Sequence, residues 1–178
     1  MIKGNSTILR AIEKEDLKLL LSWRNNPEFR RYFREYRELN MVQQIQWYEN
    51  RVNNDISTRM FSITDVRGNL IGAAGLCYID WINRTADFSI YIGHNNIYID
   101  DFYAPDAANL LIRYGFEKLG LNRLWCEIYS FDLQKIQLFD KLGFHRDGLH
   151  RQTNWYDDRW HDSFFFSLLS SDINNHSA

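Results

Sequence analysis

Cysteine and proline are scarce in this sequence, with two of each among 178 residues. The cysteines, Cys77 and Cys126, lie in apolar runs, which favours buried thiols in a reducing compartment over an extracellular disulfide. The first residues lack the apolar core of a signal peptide, and no apolar run approaches the ~18 residues of a membrane span. These absences predict a cytoplasmic protein that does not contact a membrane.

Net charge is also small, at a formal −2. Nucleic-acid binding needs clustered, uncompensated Lys and Arg, so the sequence predicts no nucleic-acid partner. The exception is the stretch 29–37, where arginines alternate with aromatic residues. This stretch is either a solvated helix face with core aromatics between the charges, or a wall that recognises an anionic substrate. The histidines, including His145 and His150, lack metal-ligand spacing, which predicts no metal.

Apolar residues are plentiful, at 45%, and aromatic residues are unusually common, at 16%, which indicates a globular chain that needs no disulfide or metal to fold. No repeat, linker or low-complexity run divides it. The sequence therefore predicts a single domain over 1–170, followed by a polar, flexible tail over 171–178.

Periodicity predicts an α+β fold with the order β-α-α-β-β-β-α-β-α-β-β, built on one mixed sheet. Asp132 is a good N-cap for the late helix, and Gly143 stands where a left-handed residue ends it. Pro105 suits the first turn of the preceding helix. The predicted strands cover 7–12, 60–65, 70–81, 85–92, 123–130, 144–156 and 160–169, and the predicted helices run to about 26, over 41–52, from about 105 to 120 and from 132 to 143.

Three segments together resemble the GNAT N-acetyltransferases. Leu119–Leu124 and then Leu138–Phe144 are similar to the C-terminal half of that fold, where a strand and helix end in Leu-Tyr-x-Lys-x-Gly-Phe. Leu9-Arg10-Ala11 with Trp23–Asn26 resembles the branch that acetylates ribosomal-protein N-termini and sugar-nucleotide amines. The resemblance implies a GNAT-like, mostly antiparallel sheet of about seven strands flanked by about four helices.

The resemblance also implies an activity. It predicts acetyl transfer from acetyl-CoA to a primary amine by direct attack in a ternary complex, without a metal. The expected acceptor is a small molecule, such as a nucleotide-linked amino sugar, or a peptide with a free N-terminus. The chain is expected to be a monomer or a homodimer. The alternative is a GNAT-like domain that has lost the reaction and serves as a binding or assembly module.

The implied cosubstrate site has three parts. A splayed strand offers its backbone to the pantetheine arm, a helix N-terminus receives the diphosphate, and the late helix closes the site. By resemblance these parts contribute Ile90, Tyr91, Ile92 and Gly93, then Tyr103, Ala104, Asp106 and Ala107, and finally Asp132 and Phe139.

The sequence departs from the family at this site. The diphosphate loop, Gln/Arg-x-x-Gly-x-Gly/Ala, is replaced by Ile99–Ala104, in which only Ala104 fits. Asp100 and Asp101 bring two carboxylates to a place for an anion, so we expect them to point outward. Phe139 replaces the tyrosine that often protonates the leaving thiolate, and Asp132 replaces an asparagine.

Candidate catalytic and substrate-binding residues follow from the same alignment. Asp87 is the candidate base, or else a structural carboxylate at a strand edge. Tyr129 could reach the same place, or else packs in the core or its rim. The candidate substrate-binding residues are Trp23, Arg24 and Asn25, together with Trp155 and Tyr156, for which aromatic packing is the alternative.

Overall fold

One eight-stranded sheet runs through the molecule in the order β1-β2-β3-β4-β5-β6-β8-β7. The structure is a computed structural model that describes residues 1–174, so the last four residues of the predicted tail lie outside it. The strands are β1 (Ile2–Lys3), β2 (Thr7–Ala11), β3 (Arg59–Asp65), β4 (Leu70–Asp80), β5 (Thr85–Ile92), β6 (Arg123–Tyr129), β7 (His145–Tyr156) and β8 (Arg159–Leu169).

Neighbouring strands are antiparallel throughout, except for β5 and β6. Those two are parallel and pair only over Thr85–Asp87 and Arg123–Trp125. A parallel pair needs a crossover, which here contains a helix. The predicted GNAT-like, mostly antiparallel α+β fold is confirmed, with one more strand than expected because the two-residue β1 carries no periodic signal.

Helices cover both faces of the sheet. α1 (Leu17–Asn25) and α3 (Met41–Trp47) lie over the inner strands on one face, while α5 (Leu133–Lys141) packs on the opposite face through Phe139, whose ring contacts Phe88. The helices are α1 (Leu17–Asn25), α2 (Pro27–Arg30), α3 (Met41–Trp47), α4 (Tyr103–Arg113), α5 (Leu133–Lys141) and α6 (Ser170–Asn174), with π-helical turns over Tyr48–Asn53 and Tyr114–Lys118.

Local capping explains the helix boundaries. Asn26 ends α1 and its side chain accepts the Glu28 N–H at 3.0 Å, so that Pro27 starts α2 as a first-turn proline. Asp132 accepts the Lys135 N–H at 3.1 Å, and Gly143 has a φ of 82°, which confirms both predicted ends of α5. None of the helices in residues 1–174 is long and apolar enough to cross a membrane.

A buried ion pair fixes the start of α1 against β2 and β3. Asp16 is 6% exposed and receives two hydrogen bonds from Arg10, at 2.6 and 2.8 Å. It also accepts the Ser62 hydroxyl at 2.7 Å and the Glu13 N–H at 2.9 Å. Four donors therefore surround one carboxylate, which is the arrangement expected of a buried structural charge.

A second carboxylate ties the N-terminal hairpin to the start of α4, the helix Tyr103–Arg113. Asp106 on α4 accepts the backbone N–H groups of Asn5, Ser6 and Thr7 and the hydroxyls of Ser6 and Thr7, at 2.7–3.2 Å. The turn between β1 and β2 is thus fastened to the first turn of α4, about 100 residues away.

Candidate active site

The two central strands separate soon after they pair. Beyond Asp87 and Trp125, β5 and β6 no longer hydrogen-bond, although β5 continues to Ile92 and β6 to Tyr129. We call this opening the cleft. Because backbone groups alternate in direction along a strand, half of those on the outer part of β5 face the cleft.

The direction of those groups corrects part of the predicted cosubstrate site. Gly93 donates its N–H to Ile71 of β4, and the Tyr91 carbonyl lies against Gly72 of β4. Ile92 instead donates toward the cleft, as Ile90 must by alternation. Of the four predicted strand residues, Ile90 and Ile92 therefore present backbone groups to the cleft, while Tyr91 and Gly93 belong to the β4 ladder.

A cavity of about 580 Å³ lies beside the cleft, between the sheet and helices α1 and α3. Ser89 and Tyr91 of β5 form part of its floor, and burial raises the pKa of Tyr91 to about 12. Its polar lining comes from Arg24, Glu35, Arg37, Gln43, Gln44 and Gln46.

Asp87 has two neighbours that line this cavity. It shares a face of β5 with Ser89 and is paired in the sheet with Cys77, and both of these neighbours line the cavity. Asp87 is 6% exposed and accepts a hydrogen bond from Arg34 Nη1 at 2.8 Å. Burial raises its pKa above the ordinary value, and Arg34 opposes only part of that rise.

Glu127 on β6 faces the same arginine from across the cleft. Its Oε2 lies 3.9 Å from Arg34 Nη2, and its Oε1 accepts the Ser163 hydroxyl. Tyr129, on the same face of β6, stacks on Phe131 with ring centroids 5.5 Å apart. Burial, followed by the charge of Glu127, raises the pKa of Tyr129. Arg34 thus joins carboxylates from both strands where the strands diverge.

Tyr98 spans the wide end of the cleft. Its carbonyl accepts the Ile92 N–H at 2.8 Å, and its hydroxyl donates to Asp132 at 3.2 Å. The ring stacks on Tyr32 with centroids 4.4 Å apart. Asp132, predicted to contact the cosubstrate, therefore caps α5 and holds Tyr98 in this structure.

The expectation that Asp100 points outward is wrong. Its Oδ1 accepts the N–H groups of Phe102, Tyr103 and Ala104 at 3.0, 2.6 and 2.8 Å. These are free donors at the start of α4, where the carboxylate satisfies them as a cap. Asp101 does point outward: its side chain is 91% exposed and pairs with Lys141.

Three other predicted cosubstrate residues serve the fold. Asp106 is occupied by the β1–β2 turn, as described above. Ala107 is fully buried, and Phe139 is fully buried among the rings of Phe88, Phe144 and Phe166, so neither has surface available to a ligand.

Of the predicted substrate residues near α1, only Arg24 lines the cavity. Trp23 is buried against Gly93, where a Cβ would lie 2.0 Å from the indole, so only glycine permits this contact. Asn25 uses its amide to bind the backbone N–H and carbonyl of Leu39, at 2.8 and 2.7 Å, and thereby fixes the loop that borders the cavity.

Trp155 and Tyr156 lie on the β7–β8 hairpin and do not line the cavity. Tyr156 stacks on Phe131 with centroids 5.2 Å apart, and Trp155 is 56% exposed beside Trp160. Their role as walls of the substrate site stays a prediction.

The sequence interpretation missed several residues of the site. Arg34 and Arg37 belong to the stretch 29–37, for which an anion-recognising wall was one of the two interpretations. No pattern in the sequence distinguished these two arginines from Arg30 and Arg31. The polar residues of α3 carried no signal beyond helical periodicity. The residues missed are Arg34, Glu35, Arg37, Gln43, Gln44, Glu127 and, as a cleft residue, Tyr98.

A three-layer fold with a splayed parallel pair beside a polar cavity defines the class of protein. The acetyltransferase (GNAT) domain family matches residues 7–145, and the chain belongs to that family. It is 30% identical to a spermidine N(1)-acetyltransferase of Escherichia coli K12, over 83% of this chain and 77% of that one. It is 28% identical to the uncharacterized N-acetyltransferase p20 of Bacillus licheniformis, over 90% and 91%.

A solved structure of spermidine N-acetyltransferase from Vibrio cholerae in complex with CoA and spermine is also similar. The TM-score is 0.86 and the identity 25%, and the match covers 95% of this chain and 98% of that one. This protein is accordingly an acetyl-CoA-dependent N-acetyltransferase that acts on an amine. The matches to acetyltransferases favour this activity over the alternative of a non-catalytic binding or assembly module.

One part of the expected acetyl-CoA site is open in this structure and another part is occupied by a side chain. Ile90 leaves an open strand edge that suits the amides of the pantetheine arm. The α4 N-terminus suits a diphosphate in dipole and donors, but its amides are bound to Asp100. No group of three or more His, Cys, Asp or Glu among residues 1–174 could hold a metal.

Proposed function

We propose that the cavity binds the acceptor amine and that Asp87 removes its proton. The observation that carries this proposal is the placement of Asp87 at the point where the cleft opens, next to Ser89 and Cys77, which line the cavity. Bound acetyl-CoA supplies the acetyl thioester that the amine attacks. The chain must then hold the amine in line and accept the proton of its ammonium form.

The electrostatics of Asp87 suit a base. A buried carboxylate with a raised pKa is a stronger base than one on the surface. The Arg34 guanidinium limits that rise, because it stabilises the ionised form of the carboxylate. Arg34 is a positioning residue, because it orients the Asp87 carboxylate through their 2.8 Å hydrogen bond.

The charge of the cavity indicates the kind of amine. Glu35 is bound to Arg37 by two hydrogen bonds, at 2.9 and 2.7 Å, so its charge is compensated. Arg24 stacks on Phe33 at 4.2 Å, and among residues 1–174 no carboxylate forms a salt bridge with it. A guanidinium free of a carboxylate partner favours an anionic ligand.

Gln44 adds a neutral polar contact. It is 3% exposed, and it lines the cavity. A buried amide has donors and an acceptor that need partners. A ligand with hydroxyl groups would satisfy both.

The acceptor that best matches these residues is a primary amine with hydroxyls and a negative charge, such as a nucleotide-linked amino sugar. Spermidine, the substrate named for two relatives, is a polycation and would face the guanidinium of Arg24. A protein N-terminus carries no fixed anion for Arg24 to bind.

The test is release of free CoA thiol from acetyl-CoA with three acceptors: a UDP-linked amino sugar, a tripeptide with a free N-terminus, and spermidine. We expect the highest kcat/KM with the sugar. A higher kcat/KM with spermidine or the tripeptide would contradict the acceptor assignment.

Arg24→Gln tests the anionic contact directly. We expect the KM for the anionic acceptor to rise about tenfold with little change in kcat, because a charge-assisted hydrogen bond is lost in ground state and transition state alike. Lys18→Gln removes one positive charge from an exposed position of the same helix and is the matched control. Equal effects of the two substitutions would exclude a specific role for Arg24.

A further inference from the structure

The first turn of α4 is bound by a side chain from its own loop. Asp100 Oδ1 takes the N–H groups of Phe102, Tyr103 and Ala104. A helix N-terminus attracts anions through such donors and through its dipole. While the carboxylate remains, these donors are unavailable to an anion of another molecule.

The segment that carries Asp100 is anchored. Two residues earlier, Tyr98 is hydrogen-bonded to Ile92 on one side of the cleft and to Asp132 on the other. Its ring is buried against Tyr32. Asp100 is therefore held near the α4 amides by contacts on its N-terminal side and does not compete as a freely rotating surface group.

Asp101 provides the contrast within the same loop. Its carboxylate lies 2.8 Å from Lys141 Nζ and makes no hydrogen bond to the α4 amides. Two adjacent aspartates thus carry the same formal charge, and one of them occupies the donors.

We propose that Asp100 is a specificity-determining residue for the acyl donor, because it competes with the acetyl-CoA diphosphate for the first-turn amides of α4. Binding of the diphosphate there requires the carboxylate to leave. Asp100 therefore weakens the binding of acetyl-CoA more than it weakens the binding of a donor that lacks the diphosphate. The inference rests on acetyl-CoA as the donor, and it is independent of the acceptor and of Asp87.

The experiment is a calorimetric titration of the whole chain with acetyl-CoA and with S-acetylpantetheine, which has no diphosphate. For Asp100→Ala we expect the Kd of acetyl-CoA to fall about tenfold, because the diphosphate then accepts charge-assisted hydrogen bonds from the α4 amides. The Kd of S-acetylpantetheine should stay unchanged. Asp100→Asn keeps a capping oxygen but loses the charge, so its effect should be intermediate. Asp101→Asn is the matched control and should change either Kd less than threefold, by about the effect of one screened surface charge.

Thermal melting of each variant shows whether it is folded. If Asp100→Ala does not fold without its cap, Asp100→Asn carries the test. A folded Asp100 variant that binds acetyl-CoA no more tightly than wild type would overturn the proposal. So would equal tightening of both donors, or an equal effect of Asp101→Asn. No acceptor is present, so an error in the proposed amine or base would leave these results unchanged.

Discussion

Asp16 and Asp87 are both 6% exposed, and each is paired with an arginine, yet their surroundings shift their pKa values in opposite directions. Burial raises the pKa of both carboxyls. At Asp16, hydrogen bonds from Arg10, the Glu13 N–H and Ser62 outweigh burial, and the pKa is lowered. At Asp87, a single hydrogen bond from Arg34 does not outweigh it. The number of donors thus distinguishes a structural carboxylate from one that can accept a proton.

The largest expected effect is on folding. Asp16→Asn should lower the free energy of unfolding at pH 7 by about 3 kcal/mol, because Arg10 loses its buried partner. Urea unfolding measures this change. Since the folded-state pKa of Asp16 is lowered, its stabilisation is present above the unfolded pKa of about 4 and is lost as pH falls through the folded value. The difference between variant and wild type should therefore shrink in acid, and a constant difference would contradict the ionic role.

The next effect is on turnover. Asp87→Asn should reduce kcat at neutral pH by about 100-fold, or about 2.7 kcal/mol, because the base is lost. The thermal shift caused by acetyl-CoA should be unchanged. Glu127→Gln neutralises the other carboxylate near Arg34 and is the matched control. A larger loss of kcat in Glu127→Gln than in Asp87→Asn would indicate that the base is Glu127 on β6.

The smallest effect is a displaced pH profile. Arg34 lowers the pKa of Asp87, so Arg34→Gln should raise it further and move the acid limb of kcat/KM up by about one pH unit. The control is Arg30→Gln, which removes another arginine of the same stretch. Arg30 forms an ion pair with Glu38. An acid limb that stays in place in Arg34→Gln would separate Arg34 from the proton transfer.

The sequence predicted the fold well because its signals are local. Asp132 and Gly143 mark the ends of α5 through contacts within a few residues, and Pro27 separates α1 from α2. Alternation likewise identified β6, in which buried and partly buried residues alternate. Short-range patterns of this kind survive in any context that permits the element to form.

The site was predicted less well because it depends on distant contacts. Whether Asn25 binds substrate, for example, is decided by its contact with Leu39, 14 residues away. The partnership of Arg34 and Asp87 joins residues 53 positions apart. No periodicity records such pairs, so the sequence identified Asp87 and Arg24 as candidates without showing what each would contact.

The hydrogen bonds between Asp106 and the β1–β2 turn bear on the order in which the protein folds. Closing a loop of about 100 residues is entropically costly, and such long-range contacts form late. We therefore expect the first turn of α4 to take its final position only after the opening hairpin has docked. On this expectation, the start of α4 is among the last parts of the molecule to assemble.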